Sequence, residues 1–128
     1  MNRCFVSFLD KGSKKIKMEV DCKIASSYSQ KAKGLMDKKS LQSDEGMLFE
    51  FLFAFFHLFW MYRVLIPLDI IFIRNGKVRK VVQADVKSGI WSLLWCCGGW
   101  SDMVMEVNSG LCEKNGIVPG CIVKKQMN

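Results

Sequence analysis

Asp69 is the residue whose type and position most suggest chemistry. It alternates with Ile71 and Ile73 in a strand-like segment, so its carboxylate is predicted to point to an apolar face. Across the following turn it would lie opposite Val82. A carboxylate in such a place must be hydrogen-bonded, paired or protonated, and such groups gather at functional sites. The alternative is a structural acid that binds backbone N–H groups of the bend at Ile66-Pro67.

Glu106 is the second candidate acid. It shares a strand face with Val104, which predicts that it faces outward. If the fold brings it near Asp69, the two carboxylates could share a proton or bind a cation, an arrangement that acid–base chemistry uses. A salt bridge to Arg63 or Lys31 is the structural alternative, and these two cations could also border a ligand cleft.

Trp60 and Met61 would supply the wall of that cleft, because together they form a flat, polarisable apolar surface. In a small domain such a pair more often belongs to the core. His57 is the only histidine, and we predict a loop residue rather than a base or a ligand. The chain has no nucleophile elbow and no glycine-rich phosphate loop, and its six cysteines lack metal-ligand spacing. The sequence therefore predicts no metal, no cofactor and no identifiable catalytic residue.

Two stretches, residues 51–59 and 89–100, are unusually rich in aromatic side chains. If both lie at one end of the molecule, they would expose six large side chains together. These are Phe53, Phe55, Phe56, Trp91, Trp95 and Trp100. Such a patch usually marks a surface for self-association or a protein partner, a membrane contact or a covered pocket. The alternative is that the two stretches pack on each other as a satellite core.

The formal charge is +7, and residues 11–39 hold nine lysines against three acids. Such a balance attracts anions, including nucleic acid. The stretch has a single aromatic residue, Tyr28, and the chain has only four arginines, so we expect a solvated surface rather than a nucleic-acid site. No secretory segment is recognisable, and residues 51–73 hold too many polar residues for a transmembrane helix. We expect a soluble cytoplasmic protein with reduced, buried thiols.

Hydrophobic patterning predicts a mostly β (α+β) fold in one domain, residues 1–128. Alternation with period two predicts strands over 1–10 and 16–24. A capping box at Ser27 and Gln30 starts a short helix that Gly34 ends. Further strands are predicted over 47–61 (two strands meeting near 54–57), 65–73, 77–86 about the turn Asn75-Gly76, 103–107 and 121–124, with a helical turn capped by Ser109. About seven or eight strands and two short helices favour a small barrel, with a flatter sheet as the rival.

Six motifs in order give the chain a family resemblance. They are Lys31-Ala-Lys-Gly-Leu-Met36, Asp44-Glu-Gly-Met-Leu-Phe49, Phe59-Trp-Met61, Ile66-Pro-Leu-Asp-Ile-Ile-Phe-Ile73, Glu106-Val-Asn-Ser-Gly110 and Asn115-Gly-Ile-Val-Pro-Gly120. At these distances they resemble the Domain of Unknown Function 192 family over residues 15–124. The resemblance implies a compact, mostly β domain and no particular reaction, because the family has no established activity.

The chain departs from the family pattern in three places. Tyr62-Arg63-Val64 stands where Lys-Asn-Thr is usual, and Lys31 stands where an arginine is common. The stretch between Phe51 and Phe59 is apolar where the family tends to have a polar loop.

Three functions remain open on these grounds. The first is a non-enzymatic small-ligand or protein-binding domain that uses the aromatic stretches. The second is an enzyme with an Asp/Glu-based site at Asp69 and Glu106, in a cleft lined by Trp60 and Met61. The third is nucleic-acid binding through the lysine-rich first third.

Overall fold

The computed structural model describes residues 2–127, which hold seven strands and three short helices. The strands are β1 (Arg3–Leu9), β2 (Ile16–Ala25), β3 (Glu45–Trp60), β4 (Leu68–Arg74), β5 (Lys77–Ala84), β6 (Cys96–Asn108) and β7 (Ile122–Met127); the helices are α1 (Tyr28–Lys33), α2 (Trp91–Leu94) and α3 (Leu111–Asn115). The strands close into a barrel in the order β1, β2, β3, β6, β4, β5, β7. The predicted mostly β, barrel-like fold is confirmed.

The barrel interior is filled by one side of each strand. Val6, Val20, Ile71 and Met105 are completely buried there, and each alternates with residues that point outward. The alternation that predicted strands at 1–10 and 16–24 therefore reports which residues enter the core.

A second core covers the outer face of β3, β4 and β6. Phe49, Leu68 and Phe72 point away from the barrel interior, and Leu35 and Met61 cover them from outside. This part of the barrel's outer surface is therefore buried as completely as the interior. The alternation within any single strand does not predict this burial.

Local turn and cap signals account for several boundaries. The Ser27 hydroxyl accepts a hydrogen bond from the Gln30 backbone N–H, and the Gln30 side chain accepts one from the Ser27 N–H, both at 3.2 Å. Gly34 ends α1 with a φ of 50°, and Asn75 and Gly76 have the positive φ values of a tight hairpin turn. The predicted capping box and hairpin are confirmed.

The β4–β5 hairpin contains a slip that the sequence did not reveal. Ile73 pairs with Val78 but the adjacent Phe72 pairs with Lys80, so β5 has one extra residue between Val78 and Lys80, which forms a β-bulge. Asp69 consequently lies opposite Gln83, and the expected pairing with Val82 is wrong.

Three element predictions need correction. The strand expected over 103–107 extends over all of β6, and α2 was not predicted. The N-cap of α3 is Gly110, with a φ of 88° and no side-chain cap, rather than Ser109. The Ser109 hydroxyl instead accepts a hydrogen bond from the Gln83 amide at 3.0 Å.

Residues 45–60 form one strand, β3, rather than two, but that strand folds back on itself. Ten residues of straight strand span about 33 Å, yet the ring centroids of Phe49 and Phe59 are 4.9 Å apart. The fold occurs where β3 loses register with β6, between Glu50 and Phe55. We call residues 51–60 of β3 with residues 96–101 of β6 the folded ribbon.

Candidate functional site

A groove of about 690 Å³ lies between the folded ribbon and the helices α1 and α2. It is lined by Tyr28, Lys31, Ala32, Phe49, Phe51, His57, Leu58, Phe59, Trp60, Leu93, Leu94, Trp95 and Cys96. The capping box starts α1 at the position that brings its side chains to one wall, and α2 supplies part of the other. Among these lining residues Lys31 is the only side chain with a full charge at neutral pH, so the groove suits an apolar ligand.

Three side chains of the groove are ordered by contacts with one another. The His57 ring stacks on Phe51 with centroids 3.5 Å apart, and the Lys31 ammonium lies 4.5 Å from the centre of the same Phe51 ring. His57 therefore belongs to a strand and an aromatic stack, and the loop position expected for it is wrong. The cation–π contact places the Lys31 charge inside the groove rather than out in solvent.

Glu106 borders a second cavity of about 20 Å³ that adjoins the groove. The two cavities share Lys31, Phe59 and Trp60 in their walls. Gly34 lies close above the acid: a Cβ built on it would be 3.7 Å from Glu106 Oε1. A volume of this size holds about one water molecule.

Burial dominates the chemistry of Glu106. Glu106 is only 3 % exposed, and its side chain forms no hydrogen bond or ion pair with any residue that the structure describes. Burial alone raises the pKa of its carboxyl to about 8. At neutral pH the group is thus mostly a neutral acid that can donate a hydrogen bond.

Asp69 lies apart from Glu106 and makes a different kind of contact. Its carboxylate accepts a hydrogen bond of 2.9 Å from the backbone N–H of Cys112, in the first turn of α3. Because Ile70 pairs directly with Glu106, the neighbouring Asp69 side chain points to the opposite face of the sheet. The fold does not bring the two acids together, and the backbone that Asp69 holds is that of α3 rather than the bend at 66–67.

The remaining candidates divide between cleft, core and surface. Trp60 lines the groove, whereas Met61 is buried in the second core. Arg63 forms an ion pair with Asp37, and both side chains are about half exposed. Of the six predicted ligand residues, Lys31, Trp60 and Glu106 converge on one cavity system.

The family assignment rests on nearly the whole chain. The family model DUF192, described as an uncharacterized ACR, matches residues 9–125. The chain belongs to the DUF192 family. This confirms the resemblance drawn from the six motifs.

Two solved structures share this DUF192 fold. One is from Sinorhizobium meliloti and is described as a "putative transcription regulator"; it is 25 % identical, with a TM-score of 0.86 over 96 % of this chain and 93 % of that chain. The other, from Novosphingobium aromaticivorans, is described as a protein of unknown function; it is 29 % identical, with a TM-score of 0.77 over 95 % of this chain and 84 % of that one. No curated protein matches the chain.

The aromatic stretches of this DUF192 chain do meet. Phe56 pairs with Trp100 across the folded ribbon, and α2 packs on β3. Of the six aromatic residues predicted for the surface, Trp95 is partly buried against the second core and the other five are exposed; these are Phe53, Phe55, Phe56, Trp91 and Trp100.

Sequence reasoning missed much of the groove in this DUF192 domain. Tyr28, Leu93 and Leu94 line it without having been singled out. The capping box was a usable signal for Tyr28, because it fixes where α1 begins. Leu93 and Leu94 carried no comparable signal, since α2 has no side-chain cap and only four residues.

Within residues 2–127 no group of three or more His, Cys, Asp or Glu side chains is arranged to hold a metal ion. No helix in this part of the chain has the length and apolar character needed to cross a bilayer.

Proposed function

We propose that this DUF192 domain binds a long-chain amphipathic acid in the groove. The alkyl chain lies along the aromatic wall and the carboxylate meets Lys31. The observation that carries the proposal is a groove of about 690 Å³ in which Lys31 supplies the one full charge among the lining residues. That combination matches a ligand with a large apolar body and one negative group.

The position of Lys31 supports an acidic head group. Its ammonium rests on the Phe51 ring, 4.5 Å from the centre, where water is partly excluded. An ion pair formed there is stronger than one on an open surface. Glu106, which lines the adjoining small cavity together with Lys31, is mostly neutral at pH 7 because burial raises its pKa to about 8, so it does not offset the lysine charge.

Decanoate and 1-decanol separate the two parts of this recognition. We expect both to bind in calorimetric titration, with decanoate about ten-fold tighter because only it pairs with Lys31. Lys31→Gln should abolish the preference, whereas Lys39→Gln, an exposed lysine outside the groove, should keep it.

Leu94→Gln tests the apolar wall. We expect it to weaken both ligands alike, whereas Val118→Gln, an exposed apolar residue elsewhere, should weaken neither. Failure of the parent to bind either compound, or an unchanged acid preference in Lys31→Gln, would contradict the proposal.

Two other functions have weaker support. An acid–base reaction at Asp69 and Glu106 lacks its geometry, since the two carboxylates face opposite sides of the sheet. Nucleic-acid binding is suggested by the description of the Sinorhizobium structure. Here, however, the lysines of the β1–β2 turn and those on α1 lie at opposite ends of β2, a strand of ten residues, and so do not form one stripe.

We also propose a cytoplasmic location. Cys22 and Cys112 are buried, and burial raises the pKa of both thiols, which favours the unreactive thiol form. Thiols kept in that form suit a reducing compartment.

A further inference from the structure

The large exposed apolar side chains of the described residues are concentrated on one part of the molecule. Eleven of seventeen belong to the folded ribbon and α2 with its N-cap, although these segments make up a minor share of the chain. We infer that this part of the protein docks on the surface of an anionic lipid bilayer. The inference goes beyond the ligand groove, because most of the residues that carry it do not line the groove.

The strand register defines a continuous apolar face on the ribbon. Phe56 pairs with Trp100 and Leu58 with Gly98, and alternation places these side chains on the outer side of the ribbon with Trp60. A Cβ on Gly98 would come within 2.4 Å of the Phe56 ring and 2.8 Å of Leu58, so both side chains lean over the glycine. The result is a low, broad face without a central protrusion, which fits a flat partner.

The apolar face continues onto α2. Cys96 pairs with Trp60 at the end of the ribbon, and α2 ends two positions before Cys96. Its N-cap Ile90 and its first residue Trp91 are both exposed. Tryptophan and phenylalanine are the side chains that settle at the boundary between headgroups and acyl chains.

Positive charge borders this face. The Lys87 ammonium lies 4.7 Å from the centre of the Trp95 ring, and the Lys80 ammonium donates a hydrogen bond of 2.7 Å to the Gly98 carbonyl. Lysine next to interfacial aromatic residues is the pattern that anionic headgroups attract.

The same segments carry no negative charge. Residues 51–68 and 86–101 contain no aspartate or glutamate. At their borders Glu50 pairs with Lys125, and Asp102 accepts a hydrogen bond from the Asn75 N–H, while Asp85 is exposed. Asp37, from another part of the chain, lies beside the first segment, where it forms an ion pair with Arg63. A protein partner of ordinary mixed charge would need no such exclusion of acids, whereas an anionic bilayer would repel them.

Vesicle co-sedimentation tests the inference. We expect the full chain to sediment with vesicles of mixed phosphatidylserine and phosphatidylcholine, weakly with phosphatidylcholine alone, and less as salt rises. Phe56→Ser combined with Trp100→Ser should lower partitioning about ten-fold, because it removes two aromatic anchors. Phe5→Ser and Ile16→Ser remove exposed apolar side chains elsewhere and should leave it unchanged.

Charge reversal provides a second test that does not depend on the aromatic variants. Lys87→Glu should weaken binding to the anionic vesicles more than Lys11→Glu, which lies in the distant β1–β2 turn. If the double variant fails to fold, Trp100→Ser alone and Lys87→Glu still decide the outcome.

Three outcomes overturn the inference: no sedimentation with anionic vesicles, sedimentation that the face variants leave unchanged, or a concentration-dependent dimer that these variants dissociate. Decanoate titration of the same variants keeps the two proposals apart, since Phe56, Lys87 and Trp100 do not line the groove.

Discussion

At the residue scale, the two acids show what alternation can and cannot tell. The pattern correctly assigned Asp69 to an apolar face and Glu106 to the outward side of β6. It failed to show that the outward side is covered, because the cover comes from Gly34 and other residues far away in the sequence. The side of a strand on which a side chain lies follows from the local sequence. Its burial depends on which residues from the rest of the chain cover that side.

The buried Glu106 should make stability depend on pH. Its carboxyl has a pKa of about 8 in the folded protein, well above its ordinary value. Between the two values the unfolded chain releases a proton that the folded chain keeps, so stability falls as pH rises, by about 1.4 kcal/mol per pH unit. Below the ordinary value the acid is protonated in both states and adds no dependence.

Glu106→Gln should remove this fall. Urea unfolding between about pH 5 and pH 8 measures it, with Glu19→Gln as the control because Glu19 is exposed. A variant that retains the slope of the parent would assign the titration to another group.

At the element scale, the folded ribbon is the feature that sequence reasoning described least well. The apolar run was recognised and divided into two strands near 54–57, while the structure holds one strand that bends after Glu50. Strand propensity identifies β structure, but a bend within a strand follows from contacts such as that of Phe59 with Phe72, whose rings are 5.9 Å apart. Those partners are 13 positions apart on two different strands, which residues 61–67 connect, so the alternation within one strand does not contain the signal.

Two adjacent glycines of β6 should respond differently to alanine. A Cβ at Gly99 would meet Phe72 at 2.6 Å, and Phe72 is completely buried in the second core. A Cβ at Gly98 would meet Phe56 at 2.4 Å, but Phe56 is 50 % exposed and can move aside. We expect Gly99→Ala to destabilise the protein by about 1–3 kcal/mol.

Gly98→Ala is the matched comparison and should cost under about 1 kcal/mol. Chemical denaturation of both variants measures the difference. Equal losses would mean that the ribbon does not press on the barrel at Gly99.

At the scale of the whole molecule, the barrel closes through a narrow seam. β5 and β7 share a single ladder pair, Lys77 with Ile122, whereas β4 is paired along its length on both sides. Three further backbone hydrogen bonds help close it: from the Val78 N–H to the Cys121 carbonyl, from the Gly120 N–H to the Val78 carbonyl, and from the Val123 N–H to the Gly76 carbonyl. A barrel of about seven strands was predictable from the sequence. The position of its shortest strand pairing, between β5 and β7, was not.

Hydrogen exchange should reveal this seam. We expect the amides of Val78 and Val123 to exchange at least about ten-fold faster than that of Ile71, because local opening of the seam breaks few hydrogen bonds. The measurement is exchange at native conditions followed residue by residue by NMR. Equal rates at the three amides would show that the barrel opens only as a whole.

The loss of register after Glu50 has a consequence for how the chain can vary. Four residues of β3 stand there against one residue of β6, Asp102, so the phase of side-chain alternation is reset at that point. Insertions or exchanges beyond it need not disturb the order of inward and outward residues in the barrel. Polar residues could replace the exposed aromatic ones, such as Phe56 and Trp100, provided that Phe59 stays packed on the second core. The outer face of the ribbon is therefore a place where the contacts of the domain can be altered without changing the scaffold.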